Sequence, residues 1–475
     1  MESVKHYLSL LTQSLLILLS IAFCSISAAE PAGEQQNLLT HSPSTSTLTR
    51  SSFLGLIPQS AQLGDAVVID NLHPQGTAQA LELKQGDTLL SINDKPIADF
   101  PELVAILNTI DAGMDISVTV KRNEKPITLT AVAQSRPLET GKDYDVEYGE
   151  FGWQQERIRT ITYHPDKRRK DNAAVLFIQG YTCGSIDYGM LPDVSLTQLL
   201  GRFADAGFTV MKMEKPGVGD SQGQLDCQTY DFNVENAAFV AGLKHLKQQA
   251  NVNSSNVFVF GHSLGVLHAS IIAEQGLAKG VIGYGGVAKP WIDYVHDIYS
   301  KQSTKYWGVS NEQAKKNLET ISPFLNLWLG TDQSWAQIAS SPAAKKVVAE
   351  DLLALGDEQI LNRHFSFFRS VNQHNFQQKW ANTKAHALML HGEYDVQAIS
   401  GDWIQQVKRL VNENTAFSSQ TYAFERTDHG LMQYQNKEEL MKATRGQARG
   451  LGRFNQNIAS KSLRWMEDLL AINAD

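Results

Sequence analysis

The feature that most constrains the fold is an alternation of short apolar runs with helical patterns, which begins after residue 143. Residues 173–178 form a continuous apolar run and predict a buried strand, and residues 256–260 predict another. Further strands are predicted at residues 208–213, 280–284 and 385–390. Helical patterns lie between them, for example at residues 232–249. Strands that are apolar on both faces need cover on both sides. The alternation therefore predicts an α/β fold class, with a mostly parallel sheet between two layers of helices.

A glycine-flanked serine lies where the predicted strand 256–260 meets a predicted helix. The sequence there is Gly261-His262-Ser263-Leu264-Gly265. A sharp strand–turn–helix junction needs small residues two positions before and after the serine, so that neighbouring backbone can approach. The hydroxyl is then exposed at the carboxyl edge of the sheet, where the helix dipole favours negative charge. We therefore predict that Ser263 is a nucleophile, in an elbow formed with Gly261 and Gly265.

A serine hydroxyl needs a base to take its proton, and the base needs an acid that orients it. His429 lies in a polar, glycine-ended loop late in the chain, and Asp395 follows the predicted strand 385–390. We predict that His429 is the base and Asp395 the acid, with Glu393 and Asp428 as alternatives for the acid. Three other histidines are predicted to be structural: His262 in the elbow, His386 as a packed core residue, and His391.

The order of these motifs across residues 143–475 resembles that of the α/β-hydrolase superfamily, of the serine-aminopeptidase and esterase type. Residues 214–223 add to the resemblance, because their glycine spacing matches an Asp-x-Arg-Gly-x-Gly-x-Ser-x-Gly loop of such enzymes. Pro216 stands in the place of the arginine, with Lys215 beside it. The resemblance implies a scaffolding role for this loop. It also implies an oxyanion hole formed by the backbone N–H groups of Leu264 and Tyr181, where Gln179-Gly180 replaces the usual His-Gly.

Two further expectations come from the resemblance. The fold places the loops that carry Cys183 and Cys227 side by side, which predicts a disulfide between them, with two free buried thiols as the alternative. The sheet pattern is also interrupted between Val287 and Trp380, which predicts a helical cap at about residues 288–380. Five of the eight tryptophans fall in this stretch, mainly as the core of the cap, and a few aromatic residues could line an apolar pocket.

Residues 51–136 predict a small α+β domain of short strands and two helices. The stretch from Gly76 to Asn93 resembles a PDZ domain. In that family a glycine-containing loop offers N–H groups to the terminal carboxylate of a peptide, which adds to a strand edge. The matching loop here is Phe53-Leu54-Gly55-Leu56, which lacks the first glycine of the family pattern. The resemblance implies a peptide or protein C-terminus as a partner, and packing against the neighbouring domain is the alternative.

The first 29 residues predict a secretory signal: Lys5 and His6, an apolar run, and small residues before Glu30. An uncleaved membrane anchor is the main alternative, and a lipoprotein at Cys24 a weaker one. Residues 30–50, rich in Ser, Thr, Gln and Pro, predict a disordered linker. We therefore expect a periplasmic or secreted protein, which would contact a membrane only through an uncleaved signal.

Composition excludes several classes of function. The net charge is −8, and the only basic cluster is four residues long, so nucleic-acid binding is not expected. Three cysteines are too few for a disulfide scaffold or a multi-cysteine zinc module. No metal site and no cofactor are predicted. The sequence predicts an exported serine hydrolase that cleaves carboxylic ester, thioester or amide bonds of a small-molecule or peptide substrate. A peptidase and a catalytically inert binding protein remain alternatives.

Overall fold

The computed structural model describes residues 47–60, 64–107, 109–448 and 450–471. The predicted signal peptide and most of the predicted linker lie outside the described residues. None of the helices in the described ranges is long and apolar enough to cross a bilayer.

The first domain is a small α+β unit. Its elements are β1 (Leu56–Pro58), β2 (Ile69–Leu72), α1 (Thr77–Ala80), β3 (Thr88–Ile92), β4 (Lys95–Pro96), α2 (Phe100–Leu107), β5 (Asp115–Arg122) and β6 (Lys125–Val132). β1 pairs with β2, and the other four strands form a sheet in the order β4-β3-β5-β6. Alternate residues of β5 (Ile116, Val118 and Val120) are buried in one core with Leu54 and Ile69, as the period of two in the sequence predicts.

The second domain is built on an eight-stranded sheet. The strands after β6 are β7 (Tyr144–Trp153), β8 (Glu156–Pro165), β9 (Ala174–Ile178), β10 (Thr209–Met213), β11 (Val257–His262), β12 (Gly280–Tyr284), β13 (Gln359–Ile360), β14 (Arg363–His364), β15 (His386–Gly392), β16 (Ser419–Phe424), β17 (Met432–Gln433) and β18 (Arg453–Phe454). The sheet order is β16-β15-β12-β11-β9-β10-β8-β7, and only β8 runs against the others. This is the α/β-hydrolase arrangement, and the predicted fold class is confirmed.

The helices of this domain either cover the faces of the sheet or form the inserted cap. They are α3 (Ser195–Asp205), α4 (Phe232–Gln248), α5 (Gly265–Glu274), α6 (Trp291–Asp297), α7 (Ser303–Trp307), α8 (Asn311–Gly330), α9 (Trp335–Ser340), α10 (Pro342–Ala349), α11 (Phe365–Asn372), α12 (Phe376–Ala381), α13 (Asp402–Asn412), α14 (Lys437–Thr444) and α15 (Gln456–Ala471), with a π-helical segment at Ile298–Gln302. Helices α4, α5, α12 and α13 pack on one face. Helices α3 and α15 pack on the other, as the two-sided apolar strands require.

The cap consists of α6 to α11, inserted between β12 and β15, and it has its own aromatic core. The sequence placed its end at about residue 380. Trp380 on α12 instead belongs to the core between the sheet and α5, and it is fully buried there. Trp380 therefore lies outside the core of the cap, which reaches α12 only at Phe376. Because a buried tryptophan has the same pattern in either core, the sequence did not separate the two.

The last residues assigned to the linker lie against the second domain. Arg50 pairs with Asp187 at 2.9 Å and with Asp220 at 3.4 Å, and the carbonyl of the buried Leu48 accepts a hydrogen bond from Arg159. The boundary at residue 50 is thus too late, because a short polar stretch gives no sign of ion-pair partners that are distant in sequence. The other end of the first domain is also attached, through a 2.9 Å hydrogen bond from Arg136 Nη1 to Ser185 Oγ.

Candidate active site

The elbow holds Ser263 in a strained conformation between β11 and α5. Its φ is +58°, in the left-handed region that residues other than glycine rarely adopt. Backbone packs tightly on both sides. A Cβ at Gly261 would lie 2.5 Å from the carbonyl oxygen of Gly265, and a Cβ at Gly265 would lie 2.3 Å from that of Ile178. Both glycines are therefore required by close backbone approach, for the reason that the motif suggested.

The structure brings the predicted base and acid together. His429 Nδ1 lies 2.9 Å from Asp395 Oδ2 and 3.0 Å from Oδ1, and both side chains are buried. Asp395 Oδ1 also accepts the N–H groups of Gln397 and Ala398, which fix the carboxylate. The other ring nitrogen, His429 Nε2, is buried without a hydrogen-bond partner among the described residues. His429 and Ser263 line the same cavity, so this nitrogen can accept the serine proton.

The electrostatic surroundings of His429 favour its protonated, imidazolium form. Burial alone would lower the pKa of His429, but the Asp395 carboxylate outweighs burial and raises that pKa above its usual value. Burial conversely favours a protonated Asp395, yet the contact with His429 lowers the pKa of that carboxyl. The pair therefore stabilises the state in which the histidine has taken a proton and the aspartate has not.

Neither alternative acid contacts the imidazole through its carboxylate. Asp428 Oδ1 accepts the N–H of Met432, and its Oδ2 accepts the Tyr434 hydroxyl, each at 2.9 Å. Burial raises the pKa of Asp428 to about 6. Glu393 is exposed, and its carboxylate accepts the N–H of Arg426. The geometry thus favours Asp395.

Two residues of the site were missed by the sequence reasoning. His262 Nε2 donates to the carbonyl of His429 at 2.8 Å, and burial lowers the pKa of His262 to about 4, so it is a neutral donor that holds the backbone of His429 in place. Gly285 has φ +66°, and a Cβ there would lie 2.8 Å from His429 Nδ1 and 2.9 Å from Asp395 Oδ2. The signal for Gly285 was a Gly-Gly pair at the end of a predicted strand beside the acid strand.

The two remaining histidines differ in their surroundings. His386 begins β15, is only partly buried, and contacts Ser418 Oγ at 3.1 Å, so its prediction as a packed core residue is wrong. The first residue of a strand lies at the end of the sheet layer, where solvent can reach its side chain. His391 is buried at the other end of the same strand, and its Nδ1 is 3.4 Å from the Trp403 ring nitrogen, a structural role.

The predicted oxyanion residues lie around Ser263. Tyr181 and Leu264 both line the cavity with Ser263. Leu264 directly precedes α5, where backbone N–H groups have no acceptor within the helix. The oxyanion loop, residues 179–182, approaches from the other side: a Cβ at Gly180 would lie only 3.1 Å from Ser263 Cβ. A glycine at position 180 therefore lets this loop reach the serine.

Cys183 and Cys227 form a disulfide in the structure, with their Cα atoms 5.8 Å apart. The bond joins the end of the oxyanion loop to the segment that follows the glycine-rich loop, residues 214–223. The described residues contain no group of three His, Cys, Asp or Glu side chains placed to hold a metal ion.

A cavity extends from Ser263 into the cap. Three of its polar side chains donate hydrogen bonds to backbone carbonyls. The hydroxyls of Tyr294 and Tyr299 donate to the carbonyls of Gln397 and Leu352, and the Gln302 amide donates to that of Val396. Apolar and aromatic side chains make up most of the remaining wall: Leu267, Val287, Trp291, Val295, Ile298, Leu325, Trp328, Leu352, Leu353, Leu361 and Phe368.

In the loop Phe53-Leu54-Gly55-Leu56, one feature favours carboxylate binding and another does not. Gly55 has φ +77° and packs on Gly76, which only glycine permits. The N–H of Phe53, however, already donates to the carbonyl of Gln134 at 2.7 Å.

Beside the adjoining strand β1, the carbonyl of Gly55 accepts the N–H of His73 and the N–H of Gln59 donates to the carbonyl of Val68. Alternate residues of β1 therefore face β2, and the backbone of Leu56 and Pro58 faces the outer edge. That edge has no strand partner among the described residues, and Pro58 offers it no N–H.

Residues 52–132 match the family model of the PDZ domain, which confirms the predicted PDZ-like domain. The search of curated proteins found no match.

Several solved structures are similar at 13% identity. Est1E from Butyrivibrio proteoclasticus, bound to ferulic acid, has a TM-score of 0.39 and covers 62% of this chain and 96% of its own. A proline iminopeptidase from Mycobacterium smegmatis has a TM-score of 0.40, with 68% and 99% covered. An esterase from Pyrococcus furiosus has a TM-score of 0.37, with 62% and 88% covered. At such scores the assignment of the fold rests on the sheet order and the elbow.

Proposed function

We propose that the protein is a serine hydrolase that forms an acyl-enzyme on Ser263. The observation that carries this proposal is the unpartnered Nε2 of His429, held by Asp395 at the other ring nitrogen and lining one cavity with the serine. A buried polar atom without a partner calls for an explanation, and transfer of the serine proton to this nitrogen supplies one. A catalytically inert binding protein would have no need of it.

The reaction follows from this geometry. His429 Nε2 takes the proton of Ser263 as Oγ attacks the acyl carbon, and the tetrahedral oxyanion is held by the N–H groups of Leu264 and Tyr181. His429 then returns the proton to the departing alcohol, thiol or amine, which leaves an ester on Ser263. Water, deprotonated by His429, attacks that ester, and the collapse of the second tetrahedral intermediate releases a carboxylic acid and restores the serine.

The cavity favours an uncharged apolar acyl group. None of the described residues that line it carries a formal charge, apart from His429 when it is protonated. An aminopeptidase needs an anionic side chain to bind the α-ammonium group of its substrate, since a buried charge without a partner is costly. Esters or thioesters of apolar acids therefore fit better than peptides with a free N-terminus, which remain the alternative substrate class.

A fluorophosphonate probe tests the proposal, because it reacts only with an activated serine. The parent protein should be labelled at Ser263, and Ser263→Ala should lose both labelling and hydrolysis of p-nitrophenyl esters. Ser270→Ala is the matched control: Ser270 lies on α5, the helix that follows the elbow, and its hydroxyl donates to the carbonyl of Leu267, so its removal should leave labelling intact. Parental ester turnover by Ser263→Ala would reject the serine mechanism.

We further propose that the protein acts outside the cytoplasm and that its PDZ domain binds an extended peptide or protein C-terminus. The charged and apolar N-terminal sequence supports export. The disulfide between Cys183 and Cys227 supports it too, because such bonds persist in oxidising compartments. Edman or mass-spectrometric analysis of the native N-terminus tests export, and a mature protein that still begins at Met1 would contradict cleavage.

A further inference from the structure

Behind the oxyanion loop lies a cluster of four ionisable side chains, defined here as the loop-support cluster: Lys215, Glu235, His268 and Arg363. All four are fully buried. Glu235 is the centre: its Oε1 lies 2.9 Å from Lys215 Nζ and 3.2 Å from His268 Nε2, and its Oε2 lies 2.9 Å from Arg363 Nη1. The members come from the glycine-rich loop, α4, α5 and the cap strand β14.

The cluster holds more positive than negative charge. Burial would raise the pKa of Glu235, but Arg363 and Lys215 hold it well below its usual value. Burial lowers the pKa of Lys215 to about 8, which still leaves the ammonium largely protonated at neutral pH. Burial also lowers the pKa of His268, so this ring is neutral. One carboxylate therefore faces two cations in a dry environment.

Both cations also donate hydrogen bonds to the oxyanion loop. Lys215 Nζ donates to the carbonyl oxygen of Gly180 at 2.7 Å, and Arg363 Nη1 donates to that of Tyr181 at 2.5 Å. In a planar trans peptide the C=O of one residue points opposite to the N–H of the next. Fixing the carbonyl of Gly180 therefore fixes the direction of the Tyr181 N–H, away from Lys215.

Arg363 is held at a cost that an ion pair alone does not explain. Its Nε and Nη2 are buried without hydrogen-bond partners among the described residues, and its guanidinium lies 3.5 Å from the centre of the Phe367 ring. A buried donor without a partner destabilises the fold. Nη1 is the one guanidinium nitrogen with hydrogen-bond partners among the described residues, and it donates both to Glu235 and to the carbonyl of Tyr181.

We propose that Lys215 and Arg363 are positioning residues for the oxyanion hole: they hold the carbonyls of Gly180 and Tyr181 so that the Tyr181 N–H faces the developing negative charge at Ser263. The proposal rests on the proposed function. It assigns a role to the lysine beside Pro216 and makes the cap strand β14 part of the catalytic geometry. A purely structural cluster would affect stability but not the difference between ground state and transition state.

The test replaces each cation by methionine, in Lys215→Met and Arg363→Met, and measures kcat and KM on a p-nitrophenyl ester. We expect kcat to fall about 10- to 100-fold, somewhat less than the loss of an oxyanion donor itself, with KM within about threefold. The affinity for an alkylboronic acid, which forms a tetrahedral anion on serine, should fall in parallel with kcat/KM. The matched control is Lys379→Met, which breaks the 3.0 Å ion pair between Lys379 and Glu274 on α5 and should leave both values unchanged.

Folded variants with parental kcat and boronic-acid affinity would overturn the proposal, as would a rise in KM alone. If a methionine variant does not fold, Arg363→Lys replaces it: the ammonium keeps the charge beside Glu235 but is shorter, so a smaller loss of kcat is expected, and a parental kcat overturns the proposal. A parent protein that fluorophosphonate does not label would overturn the proposed function and this inference with it. Labelling of the parent together with unaffected variants would reject the positioning role only.

Discussion

Two loops of this protein were predicted to bind an anion through backbone N–H groups, and the structure supports them very differently. The oxyanion loop has two of its carbonyls held by buried cations and lies against Ser263. In the loop at residues 53–56 the carbonyls are held by neutral donors instead: the backbone N–H groups of Thr77, Ala78 and His73 bond to those of Phe53, Leu54 and Gly55. One N–H of this loop already bonds to Gln134, and the next strand has a proline at its open edge. A glycine turn alone therefore does not make an anion site. The groups that hold its carbonyls determine how firmly its N–H groups are oriented toward an anion.

The comparison predicts large effects of single changes in the catalytic region. Asp395→Asn should lower kcat by about 10⁴-fold, because the amide can no longer hold the imidazole tautomer that accepts the serine proton. The control is Asp428→Asn, whose carboxylate does not contact the ring and whose loss should cost far less activity. Equal losses in the two variants, measured as kcat on one ester, would contradict the assignment of the acid.

The pH dependence sharpens the same assignment. Only neutral His429 can act as the base, so kcat/KM should fall as the pH drops through the pKa of this residue. Because Asp395 raises that pKa, the parent should lose activity at a pH above the usual value for histidine. In Asp395→Asn the residual activity should persist to lower pH. A pH–rate profile from pH 5 to 9 measures the shift, and a limb that does not move would contradict the electrostatic coupling.

Much of the catalytic region could be predicted from the sequence, because the proposed chemistry requires particular backbone conformations, and these require particular residues. The tight turn at Ser263 requires Gly261 and Gly265, and the predicted functional residues follow the carboxyl ends of apolar strands. Lys215 and Arg363 could not be predicted in this way. They act on carbonyl oxygens more than 30 residues distant, and a buried lysine beside a proline has no pattern of its own. The residues at the end of the linker were missed for the same reason.

A smaller effect is expected at Gly285, which lies between the acid and the base. In Gly285→Ala the new methyl group would meet His429 Nδ1 at 2.8 Å and displace the imidazole, so kcat should fall about 100-fold. The left-handed φ of +66° adds a loss of stability of about 1–2 kcal/mol. Gly308→Ala separates the two terms, since Gly308 has φ +71° with no atom within 4 Å of the added methyl. The midpoint temperature of thermal unfolding should fall in both variants, whereas kcat should fall only in Gly285→Ala.

The smallest effect belongs to the peptide loop, where a substitution can improve rather than break the site. Pro58→Val would add an N–H at the outer edge of β1, and one added hydrogen bond is worth about 0.5–1.5 kcal/mol, or roughly 2- to 12-fold in affinity. Fluorescence polarisation with the full chain would compare a peptide that ends in an apolar residue and a free carboxylate with its amidated form. Ile57→Val is the control, because the backbone of Ile57 faces β2. An affinity that rises equally in both variants would show that the open edge of β1 does not receive the peptide.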